Sequence, residues 1–347
     1  MLTKGSLPIT YIDGFHDIEA VRKMEYRRLG NTDMDVSVIG FGGAALSSFY
    51  SRISDNDGIE LVEYAIKQGI NFIDTAPWYG YGRSENLLGK VLPNIPRDAY
   101  YIATKVGRYE PSTDRMFDFS AKKIFASVDN SLRTMKLDYL DILQVHDLEF
   151  APSVDQIINE TLPALKMIKD SGKVRYIGIT GYPLNILKNV AENAKIDTIL
   201  SYCRYCLFDT SLKNYMDFFE SCGLGVINAA PIGMGLLSQS GPPEWHPATT
   251  EIKDACRKAV NYCNKIGVDI CKLAVRSCID CKRLATTVIS STNIDILKSN
   301  LTTAHEPLTQ AELRALKYIK NKYFQDLKSN DWEGFEVAKY RRQLNGH

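Results

Sequence analysis

Short, almost wholly apolar runs alternate along this chain with longer stretches whose apolar residues recur at helical spacing. The first run, Val38-Ile39-Gly40-Phe41-Gly42-Gly43, reads as a strand ending in glycines that let backbone approach a ligand. A helix is predicted over 57–68, with Ile59, Val62, Ala65 and Ile66 on one face and Gly69 closing it. The alternation then continues with strands at 71–74, 100–104, 140–145, 174–179, 198–201, 225–229 and 286–289. Helical patterns over 84–90, 120–135, 153–170, 184–194, 211–222, 251–266, 269–281, 294–301 and 309–327 lie between and after them. Nearly every strand run is apolar throughout, as expected when both faces of a parallel sheet are buried. Eight β/α units in series point to a single closed (β/α)8 TIM barrel more than to a doubly wound sheet. The stretch VIGFGGAA also lacks the GxGxxG spacing of a Rossmann cradle.

Before the barrel, 1–23 shows little periodicity and reads as an N-terminal extension. Tyr26 to Asp33 followed by Asp35 to Val38 predicts a β-hairpin turning at Gly30-Asn31. No composition break divides 24–327, so that span is read as one barrel domain, helical at its end, with 328–347 as a C-terminal tail.

Composition narrows the partners. The 347 residues carry 42 Lys and Arg against 41 Asp and Glu, a net charge of +1, which leaves no basic excess for nucleic acid or an anionic membrane. No run approaches the roughly 20 apolar residues of a membrane span. The N-terminus lacks an apolar core of signal-peptide length. A cytoplasmic protein acting on a small molecule, as monomer or homodimer, is the expectation. Eight cysteines fall in the second half. Two pairs, Cys203/Cys206 and Cys278/Cys281, have CxxC spacing, but neither sits in the turn a zinc knuckle needs, so no metal is expected.

The chemistry concentrates in 69–90, GINFIDTAPWYGYGRSENLLGK. Asp74 ends a strand and Tyr79 lies five residues on in the following loop, the face on which a barrel places its active groups. The next two strand runs end at Lys105 and His146. Each residue alone has a bland reading: a cap, a solvated ammonium, a packed ring, a structural imidazole. Together, on three successive strand ends, they form a phenol, an ammonium to lower its pKa, a carboxylate to hold the ammonium, and an imidazole to bond a substrate oxygen. Such a set protonates a carbonyl or deprotonates an alcohol while a hydride moves. Side chains do not carry hydride, so a nicotinamide is implied. A barrel lyase using Lys105 as a Schiff-base amine is the competing chemistry.

Asp74-Thr75-Ala76-Pro77-Trp78-Tyr79-Gly80, Ser84-Glu85-Asn86-Leu87-Leu88-Gly89, Gly172 to Thr180, and Ala230-Pro231-Ile232-Gly233-Met234-Gly235-Leu236-Leu237 together resemble the motifs of the aldo-keto reductase family, in family order. The resemblance implies Tyr79 as general acid/base, Lys105 and Asp74 as the groups that tune it, and His146 as the group that orients the carbonyl. It implies cofactor contacts from Gly43, Asp74, Thr180, Ser201, Ala230, Ile232, Gly233, Ser290, Ser291 and Asn300. Ser201 departs from the family's Gln or Asn, and Ala229 replaces the aromatic that often stacks on the nicotinamide. In the segment after the eighth strand, the cations that grip a 2′-phosphate are replaced by Ser290 or Ser291 and by Ile296, with Asp295 beside them. That favours NAD over NADP. The segments 178–184 and 200–205 look most like the L-galactose dehydrogenase branch, whose members oxidise C1 of an L-sugar to a lactone. Loop residues Tyr50, Trp78 and Arg108 would line the substrate pocket with Tyr79 and His146. The family also contains nicotinamide-binding regulatory subunits that do not turn over, the alternative reading of the same fold.

Overall fold

The computed structural model describes residues 6–49 and 52–346. The hairpin pairs β1 (Tyr26–Arg28) with β2 (Asp35–Ser37) antiparallel. Eight parallel strands follow: β3 (Ile39–Gly42), β4 (Phe72–Asp74), β5 (Tyr101–Val106), β6 (Leu140–Val145), β7 (Val174–Gly181), β8 (Thr198–Tyr202), β9 (Gly225–Ala229) and β10 (Thr286–Ile289). They pair in chain order and β10 closes on β3, so the sheet is a closed barrel and has no free edge.

Strand alternation sorts each side chain to the barrel interior or to the helix layer. Phe72, Tyr101, Ala103, Ile142, Leu200, Ile227 and Val288 fill the interior, packed with Leu29, Met34 and Val36 of the hairpin. Those three hairpin side chains are fully buried, so the hairpin plugs the amino-terminal end of the barrel. Arg27 holds it there by donating to the carbonyls of Ile279, Cys281 and Leu284 beyond the helix Ile270–Ile279. The larger apolar core lies between strands and helices, with Leu61, Val62, Leu88, Val128, Leu143 and Ile179 among its members.

Side-chain caps start the helices, two residues earlier than expected for the first and at the expected positions for the other two. Ser54 caps Asp55–Lys67, Ser120 caps Ala121–Met135 and Ser153 caps Val154–Gln156. The last of these continues through a π-turn, Ile157–Thr161, into Leu162–Asp170. No helix of the described residues is long and apolar enough to cross a membrane.

Three elements differ from expectation. The N-terminal extension contains a short helix, Ile18–Lys23, capped by Asp17. The pattern expected over 309–327 is an α-helix only at Gln310–Ile319, followed by a π-turn. The tail beyond contains a further helix, Phe335–Leu344, which has no fully buried residue and so lacks the apolar stripe that would announce it.

Gly89 shows why the Ser84-to-Gly89 stretch ends as it does. A Cβ there would lie 2.0 Å from the Thr134 carbonyl oxygen of the neighbouring helix. Gly89→Ala should therefore destabilise the protein by about 1–3 kcal/mol through overpacking, read as a lower urea midpoint. An unchanged midpoint would show that the two helices are free to separate.

Candidate active site

Register brings the chemistry to one end of the barrel. Asp74 pairs with Ala103, two residues before Lys105, and Lys105 pairs with Gln144, two residues before His146. By the two-residue period, Asp74, Lys105, Gln144 and His146 all face the interior at the carboxyl ends of β4, β5 and β6. Tyr79 reaches the same point from the loop after β4. A turn through left-handed Gly80, Tyr81 and Gly82 directs that loop into the helix Arg83–Val91.

The Lys105 ammonium is almost fully buried and has three acceptors: Asp74 Oδ1 at 2.5 Å, the Thr75 carbonyl at 2.9 Å and Tyr79 Oη at 3.2 Å. An ammonium has three N–H donors, so all are used. Asp74 Oδ2 accepts from Gln144 Nε2 at 2.9 Å. Gln144 is a site residue that strand-end reasoning missed, because it lies one position inside the strand. Tyr79 Oη accepts from Lys105, which leaves its own hydrogen for another partner. The His146 ring meets Tyr79 edge-on at 5.8 Å, and its Nδ1 is buried without a partner among the described residues.

Burial dominates the electrostatics here. It raises the Tyr79 phenol well above its ordinary value; the charges of Asp74 and Asp147 push the same way, and Arg108 opposes them. Lys105, the group expected to lower this pKa, is itself paired with Asp74 at 2.5 Å, whose charge raises it. The resting phenol therefore holds its proton. Burial also pushes His146 down to about 3, outweighing Asp147, so the imidazole is neutral.

Around this centre, Arg108 stacks over Trp78 at 4.0 Å and bonds Asp147 at 2.5 Å. Asp147 sits in the left-handed region at φ 49°, and its N–H donates to Thr180 Oγ1 at 3.1 Å. Trp78 also meets Tyr81 at 5.2 Å and Phe49 at 6.1 Å. Behind Lys105, the buried Glu85 accepts from Thr104 Oγ1 at 2.7 Å.

The expected cofactor residues fall into separate groups. Gly43 is locked by the Ser84 hydroxyl, which donates to its carbonyl at 2.9 Å, and a Cβ would meet Ser84 at 2.8 Å. Ser290 Oγ donates to the Gly42 carbonyl across the β3–β10 closure, and Ser291 accepts from Asn300 at 3.0 Å. Ala230, Ile232 and Gly233 form the loop after β9, with left-handed backbone at Ala230 and Gly233. Thr180 faces the interior. Ser201 does not: it pairs with Gly181 and Asn228, on the opposite face from Thr180 and Leu200, so the register turns it away from the barrel interior that Asp74, Lys105 and His146 face. Tyr202 takes the interior position instead, and it was missed because its aromatic neighbours come from distant segments. Tyr50 lies outside the described residues. Two outer-face cavities, of about 630 and 230 Å³, border Asp17 and Tyr64 and hold none of these groups.

Comparison with known proteins gives a consistent picture. Residues 38–321 match the model of the Aldo/keto reductase family. L-galactose dehydrogenase of Arabidopsis thaliana is 43% identical over 289 residues, 82% of this chain and 89% of that protein. D-arabinose 1-dehydrogenase of Saccharomyces cerevisiae is 30% identical over 323 residues, 86% of this chain and 93% of that protein. Among solved structures, the holo form of aldo-keto reductase AKR11C1 from Bacillus halodurans superposes with a TM-score of 0.70 at 28% identity, covering 85% of this chain and 96% of that one.

The neutral His146 sets a pH dependence. Its folded pKa is depressed to about 3, so the unfolded chain takes up the proton first, near pH 6.5. Stability is whole above that pH and falls as pH drops toward 3, by at most about 1.4 kcal/mol per pH unit from this residue. Burial lowers His246 to about 4, which adds to the same slope. Urea unfolding at pH 7 and pH 5 should show a smaller loss in His146→Gln than in the native protein. Equal losses would mean that the imidazole is hydrated.

Proposed function

The chain belongs to the aldo/keto reductase family, and we propose that this oxidoreductase removes a proton and a hydride from the C1–OH group of an aldose, giving a lactone, with NAD favoured over NADP. The observation that carries the reading is the saturated Lys105 ammonium. With its three hydrogens committed to Asp74, Thr75 and Tyr79, it fixes the phenol oxygen and leaves the phenol's own hydrogen as the one proton free to travel. A Schiff-base role needs a neutral, mobile amine, and an ammonium held by a carboxylate is neither.

The residues fit a nicotinamide dinucleotide. Thr180 accepts the Asp147 N–H and keeps its hydroxyl hydrogen to donate, and the seam between Gly42, Ser290 and Ser291 lies on the opposite side of the barrel mouth. The orphaned His146 Nδ1 requires a polar partner that the described residues do not supply. When bound, the nicotinamide supplies the hydride acceptor. Tyr79, once its own proton has left to solvent, takes the O1 proton as phenolate in oxidation, and as phenol it gives its proton to the carbonyl in reduction. His146, neutral, holds the same oxygen by a hydrogen bond, and Trp78 walls the ring. The resting phenol is protonated, so oxidation should speed up as pH rises and reduction should slow.

The relatives' names support an aldose as substrate: one acts on L-galactose, the other on D-arabinose. The adenosine end supports NAD. Ile296, where a phosphate-binding Arg is expected in NADP-preferring members, is 42% exposed, and Asp295 occupies the first turn of Ile294–His305. Lys298, the nearby cation, leans over the Tyr64 ring at 5.7 Å.

Two measurements test this reading. Tyr79→Phe should lower turnover by about 10²- to 10⁴-fold while NAD binding, followed by protein fluorescence, is unchanged; undiminished turnover would remove Tyr79 as the acid. The same titration should show NAD binding more tightly than NADP, and Ile296→Arg should narrow the gap. A native preference for NADP would overturn the cofactor assignment.

A further inference from the structure

The barrel mouth has two facing walls. The strands run in chain order round a closed ring, so β8 stands across the barrel from β4 and β9 across from β5. Asp74, Lys105 and the Tyr79 loop occupy one wall, and the ends of β8 and β9 face them. There Tyr202 and Ala229 are direct partners in the β8–β9 ladder. Both point inward, Tyr202 in step with Leu200 and Ala229 with Ile227, and both are half-buried. Neighbouring strands lie about 4.8 Å apart. A large side chain at 229 would crowd the phenol, whereas the methyl group of Ala229 leaves its flank open.

The phenol is braced from behind. Both strands end at left-handed residues just beyond the pair, Cys203 at φ 59° and Ala230 at φ 55°, and the Cys203 N–H donates to the Ala229 carbonyl at 3.1 Å. Tyr182 meets the Tyr202 ring at 5.2 Å, and Trp332 stacks on Tyr182 at 4.8 Å. The Trp332 backbone N–H donates to Tyr182 Oη at 3.2 Å. Arg204, in the loop after β8, lies over the Tyr182 ring at 4.9 Å. It also pins the strap that carries Trp332, through Asp331 at 3.1 Å and Glu333 at 3.7 Å. Tyr182 and Trp332 are buried, so Tyr202 is the ring of this column that keeps surface toward the mouth.

An aromatic ring braced in this way is a rigid, flat platform, which suits a flat ligand. A dinucleotide reaching from Thr180 on β7 to Ser290 and Ser291 after β10 passes the ends of β8 and β9, if it leaves the β4–β6 wall to the substrate. Hydride passes perpendicular to the plane of a nicotinamide, so one face is given to the substrate carbon and the other needs a wall. The oxidised ring is also a cation, and the face of a phenol attracts cations. We propose, on the nicotinamide reading above, that Tyr202 binds the nicotinamide: its ring supports the face turned away from the substrate, in the space that Ala229 leaves beside it. The supporting aromatic then comes from β8, one strand away from position 229, where an alanine stands.

Calorimetric titration of the full-length protein without substrate tests this, with NAD and with ADP-ribose, which has the same adenosine and phosphates but no nicotinamide. Native protein, Tyr202→Phe and Tyr202→Leu are compared. NAD should bind Y202F within about twofold of native and Y202L about 3- to 10-fold more weakly, the scale of one ring-on-ring contact. ADP-ribose should bind all three within about twofold, which also shows that the variants are folded. Equal losses of NAD and ADP-ribose in Y202L overturn the proposal, because the ring would then shape the fold and not meet the nicotinamide. Undiminished NAD binding in Y202L overturns it as well. So does a loss in Y202F as large as in Y202L, which would assign the contact to the hydroxyl. A native protein that binds neither NAD nor NADP instead sinks the nicotinamide reading itself, and that outcome is visible before any variant is made.

Discussion

An ammonium buried inside a barrel is the constraint to which the rest of the site responds. Taking Lys105 out of water costs several kcal/mol unless charge and hydrogen bonds are returned to it. Asp74 supplies the charge, the Thr75 carbonyl and Tyr79 hydroxyl complete the shell, and Gln144 satisfies the second Asp74 oxygen. Each of these groups is held in turn. Thr75 Oγ1 shares a hydrogen bond with Ser84 Oγ at 2.8 Å, and Ser84 bonds Gly43. The loops after β3 and β4 are thereby tied to the Lys105 cluster, and tyrosine and lysine have little freedom to drift apart.

The same pair explains why the phenol is set for proton transfer without being ionised. A lone ammonium would favour phenolate. A neutralised one in a dry site does not, so burial prevails and Tyr79 keeps its proton. His146 obeys the same logic with the opposite outcome for charge, losing its proton to burial and so remaining a neutral hydrogen-bonding group. One environment thus acts on two kinds of titratable side chain with opposite results for their charge.

The mouth of the barrel is built differently from its floor. The floor consists of strand ends, where register leaves no choice of direction. The mouth is assembled from Arg108, Asp147, Trp78 and the strap that Arg204 anchors, so its composition depends on loops and on the chain's last helix. Chemistry on rigid strands with recognition on loops allows substrate range to change while the proton-transfer group stays in place.

Sequence alone determined the eight β/α units, the hairpin before them, and the quartet Asp74, Tyr79, Lys105 and His146. Apolar periodicity reports which faces are buried, and a strand end is legible wherever an apolar run stops at a polar residue. Two helix starts were also readable, since Ser120 and Ser153 act through bonds to residues three positions away, whereas the helix Asp55–Lys67 begins two residues before its expected start. Tertiary structure decided whatever depends on register or on distant segments meeting. It turned Ser201 to the outer face and Tyr202 inward, because a one-residue offset along a strand reverses the side. It found Gln144 one position inside its strand, and it brought the helix Phe335–Leu344 back over the site through contacts to Phe117 and Phe150, about 200 residues earlier in the chain. No local pattern in a mostly exposed helix encodes that return, because the surface it packs on exists only once the barrel has closed.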